Sequence, residues 1–189
     1  MVDPLSVTAL TGVALTDGIK FLYDQAGAIL TRRAERRRAE KLGTAPPAEP
    51  IPVKPPEVVA GQLAPISIDA AAADVLADEL KELRRRLDDY AQGYETPRED
   101  DRDVLRTIVA LRDAIEDIIG QRITFKGEAR ERSGTPVVTG RISAAEIRGR
   151  ATAVEVGDMV SGRVDAQVHT DVIEAGGEVT GARITNLGR

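Results

Sequence analysis

One histidine and no cysteine limit what chemistry this 189-residue chain can do. His169 falls in an expected turn with no thiol beside it, so a histidine-based triad or a zinc centre has little to work with. The acidic groups Asp88/Asp89 and Asp100/Asp101/Asp103 are the next candidates, as metal ligands. They fall at helix ends and on polar faces, without a second histidine or a glycine-rich calcium loop, and read as solvated surface. Arg141, Arg150 and Arg163 could hold an anion, but Asp165 and Glu174 lie close enough in pattern to neutralise them. No phosphate-binding P-loop is present, nor a GxGxxG after a strand; Gly43, Gly61 and Gly93 are isolated. The expectation is a non-enzymatic protein with no catalytic residues, cofactor, metal or small-molecule substrate.

Composition narrows the partners. A net charge of −5 argues against nucleic acid. With 3% aromatic residues and no Trp, any core is built from Ala, Val, Leu and Ile. No basic stretch precedes the first apolar run, and no uncharged run is long enough to span a bilayer, so a cytoplasmic protein is expected.

The elements that would position a functional surface begin with a long helix, Asp3 to about Leu42. Asp3 suits the N-cap and Pro4 the first helical position. Apolar residues including Leu5, Leu15, Ile19, Phe21, Leu22 and Ile29 recur along it, and it closes on a basic cluster containing Arg32, Arg33, Arg36 and Arg37. One reading is a core helix with a solvated basic tail; in the other, these ten residues are candidates for contact with an anionic membrane surface or a partner helix, which adds peripheral membrane association to the expected location. The opening Val2-Asp-Pro-Leu-Ser-Val-Thr-Ala-Leu resembles the start of HeLo-type and bacterial BELL-type cell-death helices. That resemblance implies a self-assembling effector in a bacterial defence system, whose N-terminal helix damages membranes.

Seven of the ten prolines lie between Pro46 and Pro65, so residues 43–68 are expected to form an extended spacer that tethers the first helix. Residues 69–121 read as a helical hairpin. Asp69 caps a helix with a heptad-like, coiled-coil seam of Leu76, Leu80, Leu83, Leu87 and Tyr90. Gly93 ends it, and Thr96-Pro-Arg-Glu99 has the form of a capping box for the next helix. That helix carries Val104, Leu105, Ile108, Val109, Leu111, Ile115, Ile118 and Ile119, with Gly120 as its stop.

From 122 to 189 a short phrase recurs: Val138-Thr-Gly-Arg, Ile147-Arg-Gly-Arg, Val160-Ser-Gly-Arg and Val179-Thr-Gly-Ala. Its period-2 alternation marks half-buried strands. Turn candidates at Ser133-Gly134, Ala145-Glu146, Gly157-Asp158, His169-Thr170 and Gly181-Ala182 divide the region into about six strands of an antiparallel meander. In that register one face is wholly apolar or Gly, pairing Phe125 with Ile142 and Ile142 with Gly149.

The resulting expectation is an α+β fold: the hairpin packed on a one-sided meander, with residues 69–189 as one unit and the first helix tethered beside it. Its helix–sheet core would contain Leu80, Leu83, Leu87, Ile108, Leu111, Ile115, Phe125, Ile142 and Val164. A parallel β-solenoid is the alternative, and the twelve-residue units faintly resemble bactofilin-like polymers. Val172-Ile-Glu-Ala-Gly-Gly-Glu-Val-Thr-Gly is also somewhat similar to bacterial amyloid-signalling motifs. Functionally, the chain reads as a self-associating adaptor or effector, forming a homo-oligomer and engaging a protein partner or a membrane. The alternative is a structural scaffold that polymerises through its β-repeats.

Overall fold

The computed structural model describes residues 12–44, 50–159 and 163–187, with the backbone alone at 141–147, 157–159, 163, 165, 167 and 187. The chain divides into two compact units, residues 1–134 and 135–189. The first is helical: α1 (Gly12–Leu42), α2 (Ala70–Val75), α3 (Ala77–Arg86), α4 (Asp88–Ala91) and α5 (Arg102–Ile119). The second holds four strands: β1 (Val137–Ile147), β2 (Arg150–Met159), β3 (Arg163–Ile173) and β4 (Glu178–Leu187).

Helix α1 is an integral part of the first unit, which corrects the expectation of a tethered helix. Leu15, Ile19, Leu22, Ala26 and Ile29, spaced three and four apart, form one face and are buried in the same apolar core as Leu80, Leu83, Leu87, Ile108, Leu111 and Ile115. Its neighbours are α2, α3, α4 and α5. The physical reason is area: two short apolar faces in a hairpin bury less than three, and α1 supplies the third. The expected start of this helix at Asp3, its residue Leu5 and the cell-death-like opening lie outside the described residues.

The proline-rich stretch is extended but is not a free spacer. Val58, Val59, Leu63 and Ile66 belong to the core, Ile51 and Ile66 form an antiparallel bridge, and Val59 bridges to Phe125. The apolar residues spaced between prolines provide the burial, and Pro fixes the chain in the extended form without contributing donors of its own.

Several helix boundaries follow the sequence. Asp69 Oδ1 accepts from the Ala71 and Ala72 amides at 2.8 and 2.9 Å, and Gly120 closes α5 in the left-handed conformation with φ 64°. The seam helix is broken at Leu76 and Leu87, where ψ is 1° and 3°, so α2, α3 and α4 are successive segments of one expected helix. The Thr96–Glu99 capping box does not start α5. Asp101 does, accepting at Oδ1 from the amides of Asp103 and Val104 at 3.0 and 3.1 Å.

The antiparallel meander is overturned. β1 pairs with β3, and β2 with β4, both in parallel, as two open two-stranded sheets. Successive strands alternate between the sheets, and this is the connectivity that the alternative solenoid reading requires. The expected turns Ala145-Glu146, Gly157-Asp158, His169-Thr170 and Gly181-Ala182 lie within β1, β2, β3 and β4; the chain instead turns around Gly149 and Gly176, the latter at φ 91°. Period-2 alternation is satisfied by either pairing direction, so it could not distinguish them. Like residues on successive rungs do: Val138 beside Val164, Ile142 beside Val168, Ile147 beside Ile173, Thr152 beside Thr180, and Val156 beside Ile184. The expected first strand near 123–132 is not a strand. It turns at Gly127 (φ 90°), and the Glu128 carboxylate accepts from the Phe125 amide of the same segment.

Candidate functional site

The densest chemistry in the first unit was not anticipated from the sequence. It is a buried cluster of arginines and glutamates between α5 and the segment 121–134. Arg112 and Glu128 are fully buried, with Arg112 Nη1 donating to Glu128 Oε1 at 2.6 Å, while Glu128 Oε2 accepts from the Phe125 amide at 2.7 Å. One turn along the helix, Glu116 is 2% exposed and carries three donors. Arg122 Nη1 donates to its Oε2 at 2.7 Å, Arg130 Nη2 to the same oxygen at 3.1 Å, and the Ile123 amide to Oε1 at 2.8 Å. Thr124 and Ser133 close the segment: the Thr124 amide donates to Ser133 Oγ at 2.9 Å, which donates to the Thr124 carbonyl at 3.1 Å.

The signal for this cluster was present. Arg112 and Glu116 are four apart and sit within the apolar positions of α5, between Ile108 and Ile119, where a solvated side chain would break the stripe. A charged i, i+4 pair on a core face calls for partners elsewhere, and the basic and acidic residues of 122–131 supply them.

Not every donor of the cluster is satisfied. Arg112 Nε and Nη2 and Arg130 Nη1 are buried and find no hydrogen-bond partner among the described residues, though the Arg112 guanidinium lies 5.8 Å from the centre of the Phe125 ring. Burial holds Arg130 below the ordinary arginine range, and burial followed by repulsion from Glu116 pushes the Asp113 carboxyl above its own. A carboxyl that is raised on folding binds more protons in the folded than in the unfolded state, so it lowers stability at neutral pH. Asp113→Asn is expected to raise the melting temperature at pH 7, and the gain should shrink as pH falls through the folded-state pKa of Asp113. Thermal melts across that range check it.

The residues expected to meet a membrane or partner are otherwise engaged. Leu15, Ile19, Phe21, Leu22 and Ile29 are buried in the core. Arg33, Arg36 and Arg37 converge on Asp74 at 2.7, 2.6 and 3.3 Å, and Arg32 reaches Glu35 at 3.9 Å. Nearer the start of α1 the Tyr23 hydroxyl donates to Asp88, and the Arg84 guanidinium stacks 3.9 Å from the Tyr23 ring centre. The bond to Asp88, then burial, raises the Tyr23 pKa.

Hydrogen bonds from Arg36, then Arg33, hold Asp74 below its ordinary value of 3.8. Its contribution is therefore complete above that value and is lost as pH falls below it. Asp74→Ala is expected to remove roughly 1.5–3 kcal/mol from the helical unit, read by urea denaturation at neutral pH, with a smaller difference in acid.

Of the expected helix–sheet core, Leu80, Leu83, Leu87, Ile108, Leu111, Ile115 and Phe125 are brought together, in a core made of helices and the extended segments. Ile142 and Val164 belong to the second unit, on β1 and β3. There the candidate surface is an edge. Among the described residues β3 and β4 each have one strand partner, and Val172, Ile173 and Ile184 on these strands are 52%, 49% and 37% exposed. His169 is exposed within β3. Among the described residues no group of three or more His, Cys, Asp or Glu could hold a metal ion, and no helix is long and apolar enough to cross a membrane.

Comparison with protein-family models, curated proteins and solved structures finds no match to this chain.

Proposed function

We propose that the chain is a non-enzymatic assembly module, a scaffold or adaptor in which the helical unit is the cargo-bearing body and the β unit joins copies. The observation that carries this reading is the pair of open parallel edges at β3 and β4, bearing exposed Val172, Ile173 and Ile184. An unpaired strand edge is a template for another strand, and the usual protections are a covering element, a bulge, proline or charged side chains, lysine above all. β4 (Glu178–Leu187) carries neither proline nor lysine. Two-stranded sheets are marginal by themselves, so addition of further strands both satisfies the edge and stabilises the unit.

This places the scaffold reading ahead of the membrane effector. Engagement of a bilayer by α1 would require its apolar face to leave the core and its arginines to leave Asp74. Nucleic acid and small-molecule substrates have no part in the proposal. A role in bacterial defence would rest on the N-terminal resemblance alone.

Sedimentation velocity of the full chain over a range of micromolar concentrations tests the proposal. A weight-average mass that rises with concentration is expected. A monomer at every concentration would remove the assembly role.

A further inference from the structure

We infer that copies join head to tail and in register, with β1 and β2 of one copy stacking on β3 and β4 of another as the next coil of a β-solenoid. This rests on the self-association proposed above and adds its polarity and its pairing code.

At three places the two coils carry opposite charges, while Arg141, Glu146 and Asp158 stand beside the uncharged Gln167, Val172 and Asn186. The first coil carries Arg148, Arg150 and Glu155; the second carries Glu174, Glu178 and Arg183. Within one copy Arg148 meets Glu174 at 3.3 Å and Arg150 meets Glu178 at 2.8 Å. Glu155 stands beside Arg183 in the ladder. A second copy continuing the stack would set its own Arg148, Arg150 and Glu155 against Glu174, Glu178 and Arg183 of the first, opposite in sign at all three places. The apolar rungs continue in the same register, Ile147 on the exposed Ile173 and Val156 on the exposed Ile184. Large exposed apolar side chains of the described β unit occur on this second coil, the surface that a following copy would cover.

A head-to-head joint does not use these charges. Placing β4 against β4 of a partner about a two-fold axis makes the strands antiparallel, and residues directly opposite then share a face of the sheet. Positions 178 and 183 differ in parity and point to opposite faces, so Glu178 cannot meet Arg183 there. The polar joint satisfies both, and this two-fold joint does not.

The test is a charge-swapped full chain, R150E/E155R/E178R/R183E, which retains opposite charges inside each copy. Wild type and swapped chain should each self-associate. When differently labelled and mixed, they should co-assemble at least about tenfold more weakly than either does with itself, since the mixed joint sets like charges together. Free mixing would overturn the head-to-tail joint while leaving self-association standing; a monomeric wild type would instead remove the reading beneath it.

Because four substitutions could unfold the β unit, single cysteines provide a second readout in a chain that has none. Thr152 and Thr180 are ladder neighbours. Mixed Thr152→Cys and Thr180→Cys chains should oxidise to a heterodimer, with neither variant cross-linking efficiently to itself. A Thr180→Cys homodimer as the main product would overturn the proposal.

Discussion

Replacing Glu116 by alanine is expected to destabilise the helical unit by about 3–5 kcal/mol, the cost of leaving buried charge without its counter-ion. This single carboxylate accepts from Arg122, Arg130 and the Ile123 amide, at 2.7, 3.1 and 2.8 Å. Its removal takes the acceptor from two guanidinium groups, that of Arg130, 17% exposed, and that of Arg122, 9% exposed, which keeps Glu131 at 3.9 Å. Coulomb attraction is not the main loss, because buried ion pairs approximately break even against apolar residues of similar size. The loss arises from the donors left behind, which can no longer reach water. It follows that Arg112→Met with Glu128→Leu, which removes both members of the other buried pair, should cost much less than Glu128→Ala alone. Urea denaturation of the three variants measures this. Equal losses for the pairwise and the single replacement would mean that the cluster acts through packing alone.

Gly140→Val is expected to dismantle the β unit and leave the helices folded. Gly140 lies in β1 where it passes β2, and a Cβ there would overlap the Ala153 carbonyl oxygen and the Val154 side chain. The constraint is close approach, since Gly140 has no positive φ. Forcing bulk into a packed site costs about 1–3 kcal/mol, and a pair of two-stranded sheets has little stability to lose. Far-UV circular dichroism should keep its helical signal while amides of residues 137–187 exchange freely. Association should disappear with them. A variant that still oligomerises would show that copies join through the helical unit.

What the sequence disclosed was whatever depends on neighbours along the chain. Asp69 as a cap, Gly120 as a stop and the apolar stripe of α5 are local, and each is where residue type placed it. The direction of strand pairing is not local. The alternation of Val, Gly and Ile in 138–142 serves a hairpin and a coil equally well, and only comparison of whole rungs, such as Thr152 with Thr180, favours the coil. The place of α1 stays open in the sequence for a related reason. Its apolar face and arginine cluster suit a membrane surface as well as they suit a core and Asp74, and the deciding partners lie about forty residues downstream. Arg112 and Glu116 were legible as charges on a core face, but their partners become visible only once 121–134 folds back along α5.

The central claim is that copies join through the strands of the second coil and those of the first. Hydrogen exchange of the full chain at low and high concentration tests it most directly. Edge amides of β3 and β4 (residues 163–187), together with those of β1 and β2 (residues 137–159), should become slower to exchange as concentration rises, while those of α1 and α5 remain unchanged. Protection that is independent of concentration throughout 137–187, or that changes only in the helices, would contradict it.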